Sequence, residues 1–247
     1  PEYGNISFIS QSGALCTAVL DFAMARGYGF SKFISIGNKA DVDEFDLLRY
    51  YHKDPETNVM MIYMEELRLR QGFMHEVKHI TSEHRPTPIL VIKSGKTASG
   101  AKAASSHTGS LAGSEAVYNA LFAEGGIIRV ETVDDLFDFA GAFSARRLPT
   151  GKRMAIITNA GGPGIIATDM TEVSGMELAK FSEETDAALR KHLPPTANFN
   201  NPVDVIGDAP SERYKHAMDA VIQDDGVDGV LMILTPQSMT DAVGTAK

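Results

Sequence analysis

The sequence predicts two consecutive doubly wound α/β domains with parallel sheets, and three observations carry that expectation. Short apolar or β-branched runs bounded by glycine and polar residues recur along the chain, each followed by a longer stretch of helical spacing, the pattern of parallel strands joined by helices. The stretch 146–153, RRLPTGKR, is basic, carries Pro149 and Gly151, and reads as a linker after which the alternation begins again. The 247 residues are too many for one ordinary core and enough for two.

The first domain, residues 1–147, has expected strands at Asn5–Ser10, Lys32–Ile36, Val59–Met64, Pro88–Lys93 and Ile127–Val130. Helical spacing places helices at Gly13–Arg26, Glu44–Lys53, Leu69–Glu83, Ser114–Glu124 and Thr132–Ala145. The second domain, residues 152–247, has expected strands at Met154–Thr158, Met176–Leu178 and Val227–Leu234, with helices at Gly164–Ser174, Glu183–His192 and Ser211–Asp224. This half reads as incomplete, stopping just beyond a third or fourth strand. A short echo links the two starts: NISFISQSGAL at Asn5–Leu15 and MAIITNAGGPGIIA at Met154–Ala167 both read strand, polar turn, glycine, helix. The echo is too general to establish a duplication. It does place two similar turns.

Composition narrows the function. The net charge of -9, with no stripe of lysine or arginine, argues against a nucleic-acid partner. No apolar run approaches the roughly 20 residues that span a bilayer, so no membrane segment is expected. The single cysteine, Cys16, cannot form an intrachain disulfide and fits a reducing compartment, the cytoplasm by default. The chain begins at Pro1 rather than methionine, so a middle piece of a longer polypeptide is expected. No residues are assigned to a metal.

A strand entering a serine- or glycine-rich turn and then a helix presents backbone N–H groups, backed by the helix dipole, to whatever occupies the turn. Ser10, Gln11, Ser12 and Gly13 fit this description, and so does Thr158–Gly164, where Ala160, Gly161 and Gly162 precede a Pro163 suited to a first helical turn. Both turns suit phosphate; a serine N-cap in the first and a tight α/β turn in the second are the simpler alternatives. Neither matches the Walker lysine pattern or the dinucleotide fingerprint.

The most informative stretch is Lys93–Gly113, KSGKTASGAKAASSHTGSLAG, in which small and hydroxyl residues surround His107. That composition suits a mobile loop that can bring its histidine close to a phosphate. Neutral imidazole is a competent nucleophile near physiological pH. Lys93, Lys96 and Lys102 could neutralise a polyanion, or could be solvated loop lysines. Taken alone, His107 could equally be a surface side chain.

SQSGAL at Ser10–Leu15, SIGNKADVDEFDLL at Ser35–Leu48, YMEEL at Tyr63–Leu67 and SSHTGSLAGS at Ser105–Ser114, in this order, resemble the ligase domain of ADP-forming acyl-CoA synthetases, relatives of succinyl-CoA synthetase. TNAGGPG at Thr158–Gly164 and NPVDV at Asn201–Val205 resemble the companion domain of that family. The resemblance implies two flavodoxin-like domains, the second truncated. It also implies that His107 attacks an acyl phosphate, becomes phosphorylated and passes the phosphoryl group to ADP, with Ser106, Thr108 and Gly109 supporting its loop. A glutamate sits against the histidine in the family; Glu65 matches it, and Glu66 is adjacent. The family's phosphate site lies between two helix N-termini, which implies that Ser12 and Gly13 face Ala160, Gly161 and Gly162, with Asn201 and Asp204 closing the site or simply forming an Asx turn before proline.

CoA, ATP/ADP and Mg2+ are implied for the complete enzyme, along with a CoA-binding domain and an ATP-grasp domain as partners, a carboxylate or acyl-CoA substrate, and homo- or hetero-oligomeric assembly. The competing reading is a synthetase-like regulatory, ligand-sensing region of a larger protein acetyltransferase; retention of the His107 nucleophile speaks against it. A flavodoxin-like electron carrier would need aromatic residues to sandwich a flavin, and the chain has no tryptophan.

Overall fold

The computed structural model of the protein describes residues 2–82, 85–102, 114–145 and 149–246. The chain divides into two compact units, Pro1–Arg146 and Arg147–Lys247.

The first unit is a parallel sheet of five described strands, β1 (Tyr3–Ser10), β2 (Phe30–Ser35), β3 (Val59–Met64), β4 (Ile89–Lys93) and β5 (Ile128–Arg129), in the order β2-β1-β3-β4-β5. This is a doubly wound order whose direction of winding reverses between β1 and β3, the place where such sheets open a crevice at the C-terminal strand ends. Helices α1 (Gly13–Arg26), α2 (Glu44–Lys53), α3 (Phe73–Ser82), α4 (Glu115–Gly125) and α5 (Val133–Ser144) cover the two faces. Side chains alternate across each strand. Met60, Ile62 and Met64 of β3 therefore pack with Leu48, Tyr51, Val77 and Phe122 on one face, and Val59 and Met61 pack with Val19, Ala23 and Phe137 on the other. VMMIYM reads as an unbroken apolar run because both faces of this central strand are covered.

In the second unit β6 (Arg153–Thr158) is central. Strand β9 (Gly229–Ile233) pairs along one edge, and β7 (Glu177–Leu178) and β8 (Val203–Asp204) share the other. Helices α6 (Gly161–Val173), α7 (Glu183–His192), α8 (Ser211–Val221) and α9 (Ala242–Ala246) complete it. Its core joins Ala155, Ile157 and Val203 to Leu189, Tyr214 and Ala217. Asn201 bridges the gap between β7 and β8. Its amide accepts from Ile156 N at 2.9 Å and donates to Met154 O at 2.7 Å and Ala179 O at 3.0 Å, doing along the β6 edge what a continuous strand would do.

Several boundaries differ from expectation for local reasons. Helix α3 starts at Phe73 rather than Leu69 because Gly72 has φ +85°, a left-handed conformation that interrupts a helix. Helix α6 starts at Gly161 rather than Gly164, with Gly-Gly-Pro as its first turn. Helix α8 ends at Val221, three residues before Asp224. Strand β5 has only two residues, and β8 was not expected as a strand. Residues 98–102, expected within a loop, are helical. No described helix is long and apolar enough to cross a membrane.

Candidate active site

Strand β1 ends at Ser10, whose hydroxyl closes the turn by donating to Ser12 O at 2.8 Å and accepting from Ser12 N at 3.0 Å. Ser12 is the N-cap of α1; its hydroxyl accepts from Leu15 N at 3.3 Å and its carbonyl from Cys16 N at 3.3 Å. The cap reading thus describes the Ser12 side chain. The donors that meet no acceptor among the described residues are the N–H groups of Gly13 and Ala14. Nothing lies within 4 Å of where a Cβ on Gly13 would sit, and its φ is ordinary. Neither packing nor backbone conformation asks for glycine there. An open position at the positive end of a helix fits an anion.

The second unit repeats the construction. Thr158 donates to Ala160 O at 3.0 Å and accepts from Ala160 N at 3.1 Å, as Ser10 does with Ser12. Gly161 and Gly162 follow with N–H groups that meet no acceptor among the described residues, and Pro163 has none to offer. A Cβ on Gly162 would meet nothing within 4 Å, and one on Gly161 only Asp204 Oδ2 at 3.8 Å. Gly164 differs: a Cβ there would come within 3.0 Å of Thr158 Cγ2, so it is a packing glycine. Asp204 Oδ1 accepts from Ile206 N at 2.9 Å, an Asx turn that leaves Oδ2 toward the head of α6. Asn201, expected at the site or in an Asx turn, is instead committed to the β6 edge, where its amide takes the Ile156 N–H and donates to Met154 O and Ala179 O.

Glu65 lies just past β3 and is buried, 8% exposed, rather than an exposed strand-end acid. Its position is set across the β1–β3 crevice. Ser10 is in register with Tyr63, so the next residue, Gln11, reaches the turn at Glu65 and Glu66. Gln11 Oε1 accepts from Glu65 N at 2.8 Å and Glu66 N at 3.0 Å, and Nε2 donates to Glu66 O at 2.7 Å. Asn159 makes the corresponding bridge in the second unit, accepting from Thr235 N at 2.8 Å and donating to Thr235 O at 3.0 Å. Glu66 is drawn to Lys39, whose Nζ lies 3.6 Å from Glu66 Oε1 and donates to Glu66 O at 3.0 Å.

The lysines expected to be loop cations have structural partners. Lys93 is fully buried at the end of β4; its Nζ donates to Ser94 O at 2.5 Å and sits 4.5 Å over the Tyr118 ring. Burial pushes its pKa down, opposed by the Glu115 carboxylate. It is in register with Met64, whose side chain fills the same buried layer, so it cannot be a solvated loop lysine. Lys96 pairs with Glu131. His107 lies outside the described residues, as do Ser106, Thr108 and Gly109. Sequence reasoning placed Gln11 and Asn159 in the two turns without their bridging role and gave Lys39 and Glu44 no role; the available signal was that Gln11 and Asn159 occupy the same place in the two echoing turns.

Residues 3–143 match the succinyl-CoA ligase-like flavodoxin domain, and residues 154–242 match the ligase-CoA domain. Acetate–CoA ligase [ADP-forming] I of Archaeoglobus fulgidus is 46% identical over 247 residues, all of this chain and 35% of that protein. The chain belongs to the ADP-forming acyl-CoA synthetase family. Within the family, 4-hydroxybutyrate–CoA ligase [ADP-forming] of Nitrosopumilus maritimus is 40% identical over 96% of this chain and 34% of its own length. The α subunit of acetate–CoA ligase [ADP-forming] II of Pyrococcus furiosus is 41% identical over 93% of this chain and 50% of its own length. Among solved structures, the dinucleotide-forming acetyl-coenzyme A synthetase 1 of Ca. Korarchaeum cryptofilum, in complex with phosphate and ADP, superposes with a TM-score of 0.90 at 39% identity. That superposition covers all of this chain and 53% of that one. The chain therefore spans about a third of the length of the first two relatives and half of the third.

Proposed function

We propose that this chain supplies the phosphohistidine-bearing ligase core of an ADP-forming acyl-CoA synthetase, which interconverts carboxylate, CoA and ATP with acyl-CoA, ADP and phosphate. The observation that carries the reading is the pair of helix N-termini with unclaimed N–H donors and open glycines, one of them beside the turn that holds Glu65. Gly13 and Ala14, and Gly161 and Gly162, each offer donors to phosphate oxygens, with Ser12 and Ala160 shaping the turns. A ring nitrogen of His107 attacks the phosphorus of an acyl phosphate, the bond from phosphorus to the acyl oxygen breaks, and the carboxylate leaves. Ser106, Thr108 and Gly109 leave the histidine room to approach, and the Glu65 carboxylate orients the imidazole and balances the charge it acquires. The phosphoryl group then passes to ADP with Mg2+.

CoA and nucleotide sites are assigned to CoA-binding and ATP-grasp domains, in the same polypeptide or in another subunit, and the assembly is oligomeric and cytoplasmic. The ligase names of the relatives favour this reading over a regulatory module. The test is to incubate the chain with radiolabelled acetyl phosphate and examine the tryptic peptide 103–129. Acid-labile, base-stable label there is expected, and His107→Asn abolishes it without moving the thermal midpoint. A folded wild-type chain that takes no label, or label that persists in His107→Asn, sinks the reading.

A further inference from the structure

The motif Ser35–Leu48 plays no part in the chemistry above, yet it is tied to the same turn. Lys39 adopts φ +56°, a left-handed conformation that a residue with a side chain rarely takes, and it is 3% exposed. Such strain persists only where the surroundings hold it. Its Nζ lies 3.0 Å from Glu44 Oε1 and bonds Glu66 O, and its own carbonyl accepts from Arg68 at 3.0 Å. Glu44 is fully buried and also takes a hydrogen bond from Gln11 Nε2. Burial pushes the Glu44 carboxyl up, against the pull of Lys39. Three segments, the β1–α1 turn, the Lys39–Glu44 loop and the Glu65–Glu66 turn, thus share one buried polar network.

The geometry at Gln11 is specific. The N–H groups of Glu65 and Glu66 converge on a single oxygen, whereas successive N–H groups of an extended strand point to opposite sides. The chain direction after β3 is therefore set by Gln11. Lys39 then holds both the carbonyl and the carboxylate of Glu66. We propose that Gln11 and Lys39 are positioning residues that select Glu65 from the Glu65–Glu66 pair, Gln11 by fixing the backbone of both and Lys39 by tethering Glu66 inside the network. The proposal rests on the reading of Glu65 as the carboxylate that faces His107.

Two variants of the chain separate this role from simple stability. Gln11→Met keeps side-chain length without polar atoms, and the paired Lys39→Met/Glu44→Gln variant removes the ion pair without stranding a buried charge. In Gln11→Met the Glu65 and Glu66 amides are expected to exchange with solvent about tenfold faster, the loss of roughly one hydrogen bond each, while β1 core amides are unchanged. In the paired variant the His107 labelling rate at saturating acetyl phosphate is expected to fall about tenfold or more, as for a misplaced catalytic partner. The half-saturating concentration should stay within about twofold, because phosphate binding is not touched. Unchanged exchange at both amides, or a folded paired variant labelled at the wild-type rate, overturns the proposal. Absence of label on the wild-type chain overturns the function itself and the selection of Glu65 with it. That outcome is distinguishable because it appears before any substitution is made.

Discussion

Replacing Asn201 with alanine should destabilise the second unit while leaving the first untouched. The substitution removes one acceptor and two donors at once: Ile156 N loses the acceptor Asn201 supplies, Ala179 O loses its Asn201 donor, and Met154 O keeps only the bond from Ala179 N at 2.8 Å. Ile156 is fully buried, so its N–H has no water to turn to, whereas the two carbonyls can be reached once the β7–β8 gap opens. A buried group left without its partner costs about 1–3 kcal/mol; weighting the enclosed N–H fully and the carbonyls partly gives about 3 kcal/mol, roughly a hundredfold in the folding equilibrium. Tyr214 is the tyrosine beyond residue 147 and is buried against Ile233 O at 3.0 Å, so its ring signals report this unit alone in a urea titration followed by NMR. The expected result is a lower urea midpoint at Tyr214 with unchanged midpoints at Tyr51 and Tyr118 of the first unit. A Tyr214 midpoint shifted by less than about 0.5 kcal/mol, the usual range for an inconsequential surface change, would refute the reasoning that Asn201 stands in for a strand.

Gly13→Ala should leave the thermal midpoint equal or slightly raised, because the added methyl meets nothing and alanine is the better helix former by about 1 kcal/mol. Its phosphate affinity, read by isothermal calorimetry, should nevertheless fall; Gly164→Ala should do the reverse, losing stability through the clash with Thr158. Asp228 is held to a pKa of about 2, from an ordinary 3.8, chiefly by the hydrogen bond from Arg153 and by its backbone N–H. Because the folded value is depressed, the contribution is complete above 3.8 and is lost as pH falls through about 2. Acid titration of Asp228→Asn should accordingly show a shallower loss of stability in that window.

The sheet of the first unit was legible because β3 and β4 are nearly unbroken apolar runs between polar segments, and IKSG and ISQS mark where β4 and β1 end. Strand β8 was not legible: two residues, Val203 and Asp204, carry no periodicity, and an asparagine side chain completes their edge. The two turns could be found from strand–glycine–helix order alone. What that order could not distinguish was Ser12 acting as a cap from Ser12 acting as a donor, since both use the same hydroxyl. The burial of Lys39, Glu44 and Gln11 was not legible because polar and charged residues read by default as surface, and it depends on partners as far as 55 residues away, as the spacing from Gln11 to Glu66 illustrates. His107 stood out only through its neighbours, and its role came from the ordered motifs rather than from any period in the chain.

The hydroxyls of Ser10 and Thr158 have a consequence for how these two segments can vary. Each satisfies both backbone groups of the residue two positions on, so the turn closes whatever side chain that later residue carries. Positions 12 and 160 are already occupied differently, by serine and alanine, whereas positions 10 and 158 both carry a β-hydroxyl. Closure of the turn therefore asks for a hydroxyl at positions 10 and 158 and makes no demand of its own on the side chains at 12 and 160, where the serine adds a cap bond to Leu15 N that the alanine does not.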